Sequence, residues 1–193
     1  MRRVFGVLVL GVLFAGCGGG SEGEGSAPGV TPAPPPSSTV EQTSPTTQPR
    51  SDEEAILAAY QGYWDTWLAA NDPPNPDHPG LARYYTGEAL ERARDSIQQN
   101  RIAGVLLRLP PGSVYRHEAV VTEIGEGRAA IRDCAVDDGL VLSVQDGAVL
   151  NNAVVTTHAE ATLLHVDGLW KVDDVVVDAR WEGVAGCAMS SGS

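Results

Sequence analysis

Lysine is nearly absent from this chain: Lys171 is the only one, and 13 basic residues face 25 acidic ones, for a formal net charge of −12. No basic patch remains to neutralise phosphates, which excludes nucleic acid as a partner. Phenylalanine is scarce too. Both copies, Phe5 and Phe14, precede Cys17, so every later aromatic is Tyr or Trp. No apolar run reaches the about 20 residues that a membrane-spanning helix needs. No phosphate-cradling glycine loop and no nucleophile motif is present. His78, His117, His158 and His165 have no metal-ligand spacing, and Asp137-Asp138 and Asp173-Asp174 lack the oxygen rhythm of a calcium loop. Neither a metal nor a cofactor is expected. No internal repeat is visible.

What is present begins with a short apolar run. Arg2 and Arg3 precede it, and from Val4 to Ala15 only Gly6 and Gly11 interrupt it. Its charge, length and small-residue exit are those of a secretory signal. A buried N-terminal helix is a poor alternative, because Gly18-Gly19-Gly20 follows at once. Ala15-Gly16-Cys17 resembles the lipobox of bacterial lipoproteins, with Phe14 where that family usually has leucine. The resemblance implies cleavage before Cys17, a diacylglyceryl thioether on its sulfur, and anchoring at the outer face of the cell membrane. Each buried acyl methylene contributes about 0.8 kcal/mol, so two or three chains hold stably. An acidic domain is repelled by anionic headgroups, so the membrane is held by the lipid and not by the protein surface.

The expected organisation is a signal peptide over 1–16, a lipidated cysteine and tether over 17–50, a folded domain over 51–187, and a tail over 188–193. The tether is rich in Gly, Ser, Thr and Pro and has almost no large apolar residue. It cannot bury enough surface to offset ordering entropy. As a coil it spans on the order of 30 Å, and as polyproline about 100 Å. With Cys17 acylated, Cys134 and Cys187 remain in an oxidising compartment. They read as a structural disulfide, which closes a loop worth at most about 4 kcal/mol. The alternative is two buried free thiols.

Ser51-Asp52-Glu53-Glu54 has the form of a capping box. After it, Ile56, Tyr60, Tyr63, Trp64, Trp67 and Leu68 recur in steps of three and four, which predicts one buried helical face. Pro73, Pro74 and Pro76 end that helix. A short helical turn follows over 81–85, then a second long helix over 88–103, capped by Thr86 and stopped by Gly104. Strands are expected over 105–109, 114–124, 128–135, 140–145, 154–166 and 169–179. Asp146-Gly147 and Asp167-Gly168 mark hairpins. In the strand over 154–166, Val155, Thr157, Ala159, Ala161 and Leu163 should face the helices. Thr156, His158, Glu160 and Thr162 should face solvent or a partner. In the last strand, Trp170 and Val172 should point inward, and Lys171 and Asp173 outward. Helices followed by antiparallel strands make an α+β domain.

This order resembles the nuclear transport factor 2-like superfamily, which includes ketosteroid isomerases and polyketide cyclases. The residues that carry the likeness are Tyr60, Tyr63 and Trp64, the helix end at Gly104-Val105, Ala130 to Cys134, and Asp167 to Val172. The resemblance implies a strongly curved, mainly antiparallel sheet that packs N-terminal helices into a cone, with any site inside it. It also implies a homodimer through the outer sheet face. Tyr60, Tyr63, Trp64, Trp67, Asp133 and Trp170 are the candidate cavity residues, and Thr156, His158, Glu160 and Thr162 the candidate partner face.

Three functions follow as expectations. The first is a lipid-anchored, extracytoplasmic binding module without catalysis, which takes a small apolar ligand in the cone or an envelope protein partner on the sheet. The second is an isomerase- or cyclase-like enzyme that uses Asp133 with Tyr60 or Tyr63. The third is a structural envelope spacer. An open apolar cavity that contains Asp133 within hydrogen-bond reach of Tyr60 or Tyr63 would favour the enzyme. A cone filled by Trp64, Trp67 and Trp170 would exclude it. Otherwise these tyrosines are core residues and Asp133 pairs with an arginine.

Overall fold

The computed structural model describes residues 51–187. The expectations for the signal over 1–16, for Cys17 and the tether over 17–50, and for the tail over 188–193 lie outside those residues.

Helix α1 runs Asp52–Ala70, and the Ser51 hydroxyl accepts from Glu54 N at 3.2 Å, as the capping pattern predicts. Its stripe meets the core: Ile56 and Tyr60 are fully buried, and Tyr63, Trp64 and Trp67 pack against them. The short α2 spans Pro79–Tyr84, with proline in its first turn. Helix α3 covers Gly87–Ala103 and ends where Gly104 takes the left-handed conformation, φ 66°. That geometry is accessible to glycine without a side-chain clash.

Seven strands follow among the described residues: β1 Val105–Arg108, β2 Arg116–Gly125, β3 Arg128–Asp137, β4 Leu140–Ser143, β5 Val149–Asn151, β6 Val155–Val166 and β7 Leu169–Glu182. They form two antiparallel sheets, a main one ordered β2-β3-β6-β7 and a small one ordered β1-β4-β5. Bulges at Val121/Glu123, His158/Ala159 and Thr162/Leu163 interrupt the main register. Such bulges add twist and bend, which wraps a sheet around its contents. Ile56, Tyr60, Leu81, Ile97, Leu163 and Val172 join helices and sheet in one core.

Asp167 and Gly168 both have positive φ in the β6–β7 turn, the hairpin geometry their sequence signals. Strand β5 is an addition to the sequence reading. It has three exposed residues and no alternation to betray it. The single curved sheet that the cone implies is divided here, because β3 ends at Asp137 and β4 pairs instead with β1. Asp138 fixes that corner by accepting from Ser113 Oγ at 2.5 Å and Val114 N at 2.7 Å.

Two surroundings differ from expectation. Alternation puts Thr156 on an open face, yet it is 0% exposed. Its hydroxyl donates to Gly183 O at 2.6 Å, beneath the segment that leads to Cys187. Cys134 and Cys187 form a disulfide, which holds that segment across the outer sheet. Lys171 is not free in solvent. β7 lies beside α2, and the Lys171 ammonium donates to Ala82 O at 3.0 Å. Asp173 sits against Gly87 at the start of α3.

Candidate functional site

The site grows from alternation on two neighbouring strands. Successive side chains on a strand point to opposite faces. His117, Ala119 and Val121 of β2 are half-buried, and Arg116, Glu118 and Val120 between them are exposed. On β3 the inward set is Ala129, Ile131, Asp133 and Ala135. Antiparallel register sets His117 opposite Ala135 and Ala119 opposite Asp133, so His117 and Asp133 are diagonal neighbours on the inner face.

His117 Nδ1 lies 2.5 Å from Asp133 Oδ2. The Tyr60 hydroxyl, from α1, donates to the same oxygen at 2.9 Å. His117 Nε2 lies 2.8 Å from the Tyr115 hydroxyl. A continuous chain therefore runs Tyr60–Asp133–His117–Tyr115. Trp64 stacks on the imidazole, ring centroids 4.6 Å apart and planes 21° apart. Asp133 is 1% exposed, and its Oδ1 has no hydrogen-bond donor among the described residues.

A carboxylate shut from water is costly unless it is paired and hydrogen-bonded. Tyr60 and His117 provide that compensation. Burial, and after it the Asp133 charge, push the Tyr60 phenol well above its ordinary range, so it remains a donor. Tyr115 is pushed up in the same direction by burial first, then by the charges of Asp137, Asp65 and Asp133. Burial also pushes Tyr63 up to about 12. All three tyrosines are neutral phenols at physiological pH.

With Nδ1–H donated to Asp133, Nε2 accepts from Tyr115. The imidazole thus links the buried Asp133 carboxylate to the Tyr115 hydroxyl at the cavity, the geometry of a proton-transfer relay.

His117 and Tyr115 form one end of a cavity of about 260 Å³. Trp64, Trp67, Leu107, Val141, Val155 and Val177 contribute apolar wall. Its size is just below the about 300–1,000 Å³ usual for pockets that enclose drug-sized ligands.

The six residues chosen from the sequence separate into distinct places. Trp64 and Trp67 line this cavity and do not fill it. Tyr60 and Asp133 are bonded to each other behind His117, outside its lining. Asp133 pairs with His117 and not with an arginine. Tyr63 borders a second recess of about 300 Å³ between α1 and α3, with Arg92 at its edge. Trp170 packs on the core near His165 and borders neither space. On the outer sheet face, Glu160 is exposed and Thr162 half-buried. His158 Nδ1 is 2.7 Å from Asp178 Oδ1 on the neighbouring strand β7. The His158 imidazole holds the Asp178 carboxyl below the usual range.

Sequence reasoning missed His117 and Tyr115. The available signal was phase: Tyr115, His117, Ala119 and Val121 are every second residue. That places the tyrosine and the histidine on the same face as the two apolar residues.

No family model matches the chain, and no curated protein matches it. Solved structures do. The intermembrane space region of the chloroplast protein ARC6 is similar over 67% of this chain and 98% of its own, at 14% identity and a TM-score of 0.52. Aln2 from a Streptomyces species matches over 67% of this chain and 93% of its own, at 19% identity and a TM-score of 0.44. The Kfla4162 protein from Kribbella flavida matches over 72% and 97%, at 15% identity and a TM-score of 0.47. At such identities the likeness extends to the fold alone, for which the first match provides the argument. That fold is of the α+β class expected from the sequence, with helices packed on antiparallel strands.

Proposed function

We propose that the chain is a lipid-anchored, extracytoplasmic binding module that takes a small, mostly apolar molecule with a hydrogen-bonding group set against Tyr115 and His117. The observation that carries this reading is the cavity of about 260 Å³, apolar along its walls and polar where Tyr115 and His117 meet it. An apolar enclosure with a few fixed polar groups is the usual form of a ligand site. Anchoring rests on the lipobox-like Ala15-Gly16-Cys17 and on the polar stretch that separates it from the domain. The test is native mass spectrometry of the full chain extracted from membranes. A discrete small-molecule adduct is expected in the wild type and should be lost in a cavity-filling Ala135→Leu variant. Equal adducts in both would refute the cavity as the site.

One observation favours a second reading, acid–base catalysis: Tyr60 bonds Asp133 as an enzyme would require, although Asp133 lies outside the cavity lining and reaches it only through His117. Its distinguishing feature is that Asp133 stands behind the imidazole, so His117 and not Asp133 would exchange the proton with substrate. Conversion of the captured molecule by the wild type, with capture but no conversion in His117→Gln, would establish it. An unaltered molecule after prolonged incubation would exclude it.

A further inference from the structure

The cavity has polar groups at two ends, and the electrostatics of those ends differ. Register sets His117 opposite Ala135, Ala135 opposite Thr157, and Thr157 opposite Arg180. These four residues make one row across β2, β3, β6 and β7, and all four line the cavity. Neighbouring strands lie about 4.8 Å apart, so the row is about 14 Å long. Its two middle members are small. Ala135 and Thr157 leave room for a chain to lie along the sheet, beneath the aromatic and aliphatic walls.

At the first end, Tyr115 lies in the field of Asp137, Asp65 and Asp133. An anion placed there would meet like charge. At the far end stands Arg180, the only lysine or arginine among the lining residues. It makes no ion pair with any described residue. The other formally charged lining side chain, Asp137, accepts Gly139 N at 2.8 Å inside its own turn. A guanidinium presents a planar fork of donors that a carboxylate matches with two parallel hydrogen bonds.

We infer that the cavity takes an elongated amphipathic carboxylate, with its anionic group on Arg180, its apolar chain along Ala135 and Thr157, and a neutral hydroxyl or carbonyl against Tyr115 and His117. The inference rests on the binding reading above and adds to it a ligand class and an orientation. In a chain of net charge −12, an unpaired cation at a cavity mouth gives an incoming anion one favourable place to settle. The opposite orientation would leave the guanidinium unpaired and set the carboxylate among aspartates.

The test uses the full chain in detergent and two probes that differ in one group, ω-hydroxydecanoate and its primary amide. Calorimetric titration gives the acid/amide affinity ratio. Partition of a probe into micelles cancels when the wild type and a variant are compared with the same probe. The wild type should bind the acid about tenfold tighter than the amide. In Arg180→Gln the two affinities should converge, with the larger loss falling on the acid, and Arg180→Lys should retain part of the preference. Arg180 is exposed and unpaired, so the variants should keep the wild-type thermal midpoint. As a check without mutation, the acid's advantage should disappear as the buffer falls through about pH 4, where a carboxyl protonates. An acid preference that survives Arg180→Gln overturns the inference. Equal binding of both probes by the wild type also overturns it and leaves the binding reading standing. Binding of neither probe overturns both.

Discussion

His117 Nδ1 and Asp133 Oδ2 lie 2.5 Å apart on neighbouring strands, with both side chains almost closed to solvent. The Tyr60 hydroxyl joins them at 2.9 Å from the same carboxylate oxygen. Helix α1 is thereby tied to the inner face of the sheet through a buried polar contact inside an otherwise apolar core.

That contact is measurable. Tyr60→Phe removes one donor from a buried carboxylate and keeps the ring, so it should cost about 1–3 kcal/mol in urea unfolding. Asp133→Asn should also destabilise, because its amide oxygen can replace Oδ2 as the acceptor for Tyr60 and His117 only without the charge, and its NH2 then takes the place of Oδ1, which has no hydrogen-bond partner among the described residues. The double variant should lose less than the two singles combined, with a coupling above about 0.5 kcal/mol. Strict additivity would show that the Tyr60–Asp133 bond contributes nothing to stability.

The Cys134–Cys187 disulfide joins residues 53 apart in sequence. Its effect should extend beyond chain entropy, because the segment it holds covers Thr156. Cys187→Ser, which releases that segment, should lower stability by about 2–4 kcal/mol. Hydrogen exchange should rise at Val136 and Thr156, both now fully buried. Unchanged exchange at those amides would mean that the segment stays in place without its covalent link.

Much of this architecture is legible in the chain, and the illegible parts share a cause. The α1 stripe, the Gly104 stop and the Asp167-Gly168 turn are local, because helix period and positive-φ geometry are properties of adjacent residues. Alternation reads Thr156 as outward, which is right about the face and silent about the C-terminal segment that covers it. His117 reads as one more histidine on a polar strand. Its role depends on a diagonal contact with Asp133 across a register that alternation alone does not fix. Local chemistry is readable, whereas pairing between distant residues is not.

Asp138 gives a pH dependence of known sign. Burial works to raise its carboxyl, yet the Ser113 hydroxyl and Val114 N–H hold it below the ordinary value. A carboxyl depressed in the folded state stabilises fully above its unfolded pKa, about 3.9, and loses that contribution as pH falls through the folded value. The wild type should therefore exceed Asp138→Asn in stability at neutral pH. The gap should narrow as pH drops below about 4. A gap of constant size down to that range would show that the Ser113 and Val114 contacts do not favour the charged form.

The processing expectation has a direct readout. A fatty-acid probe fed to cells should label the wild-type chain and leave Cys17→Ser unlabelled. Equal labelling of both would refute the lipobox reading and, with it, the proposed membrane anchor.

Filling the cavity separates binding from folding. Ala135 sits in the centre of the row that leads from His117 to Arg180, and its side chain faces the open space. In a close-packed core, added methylenes cost about 1–3 kcal/mol because neighbours must move. Here Ala135→Leu extends into volume that no side chain occupies, so it gains apolar burial without displacing a neighbour. Its unfolding midpoint should equal or exceed that of the wild type, and capture of ω-hydroxydecanoate should fall by at least about tenfold. Loss of both stability and capture would mean that Ala135 packs against a closed wall. Retention of both would mean that the ligand lies elsewhere, with the recess bordered by Tyr63 and Arg92 as the next place to block.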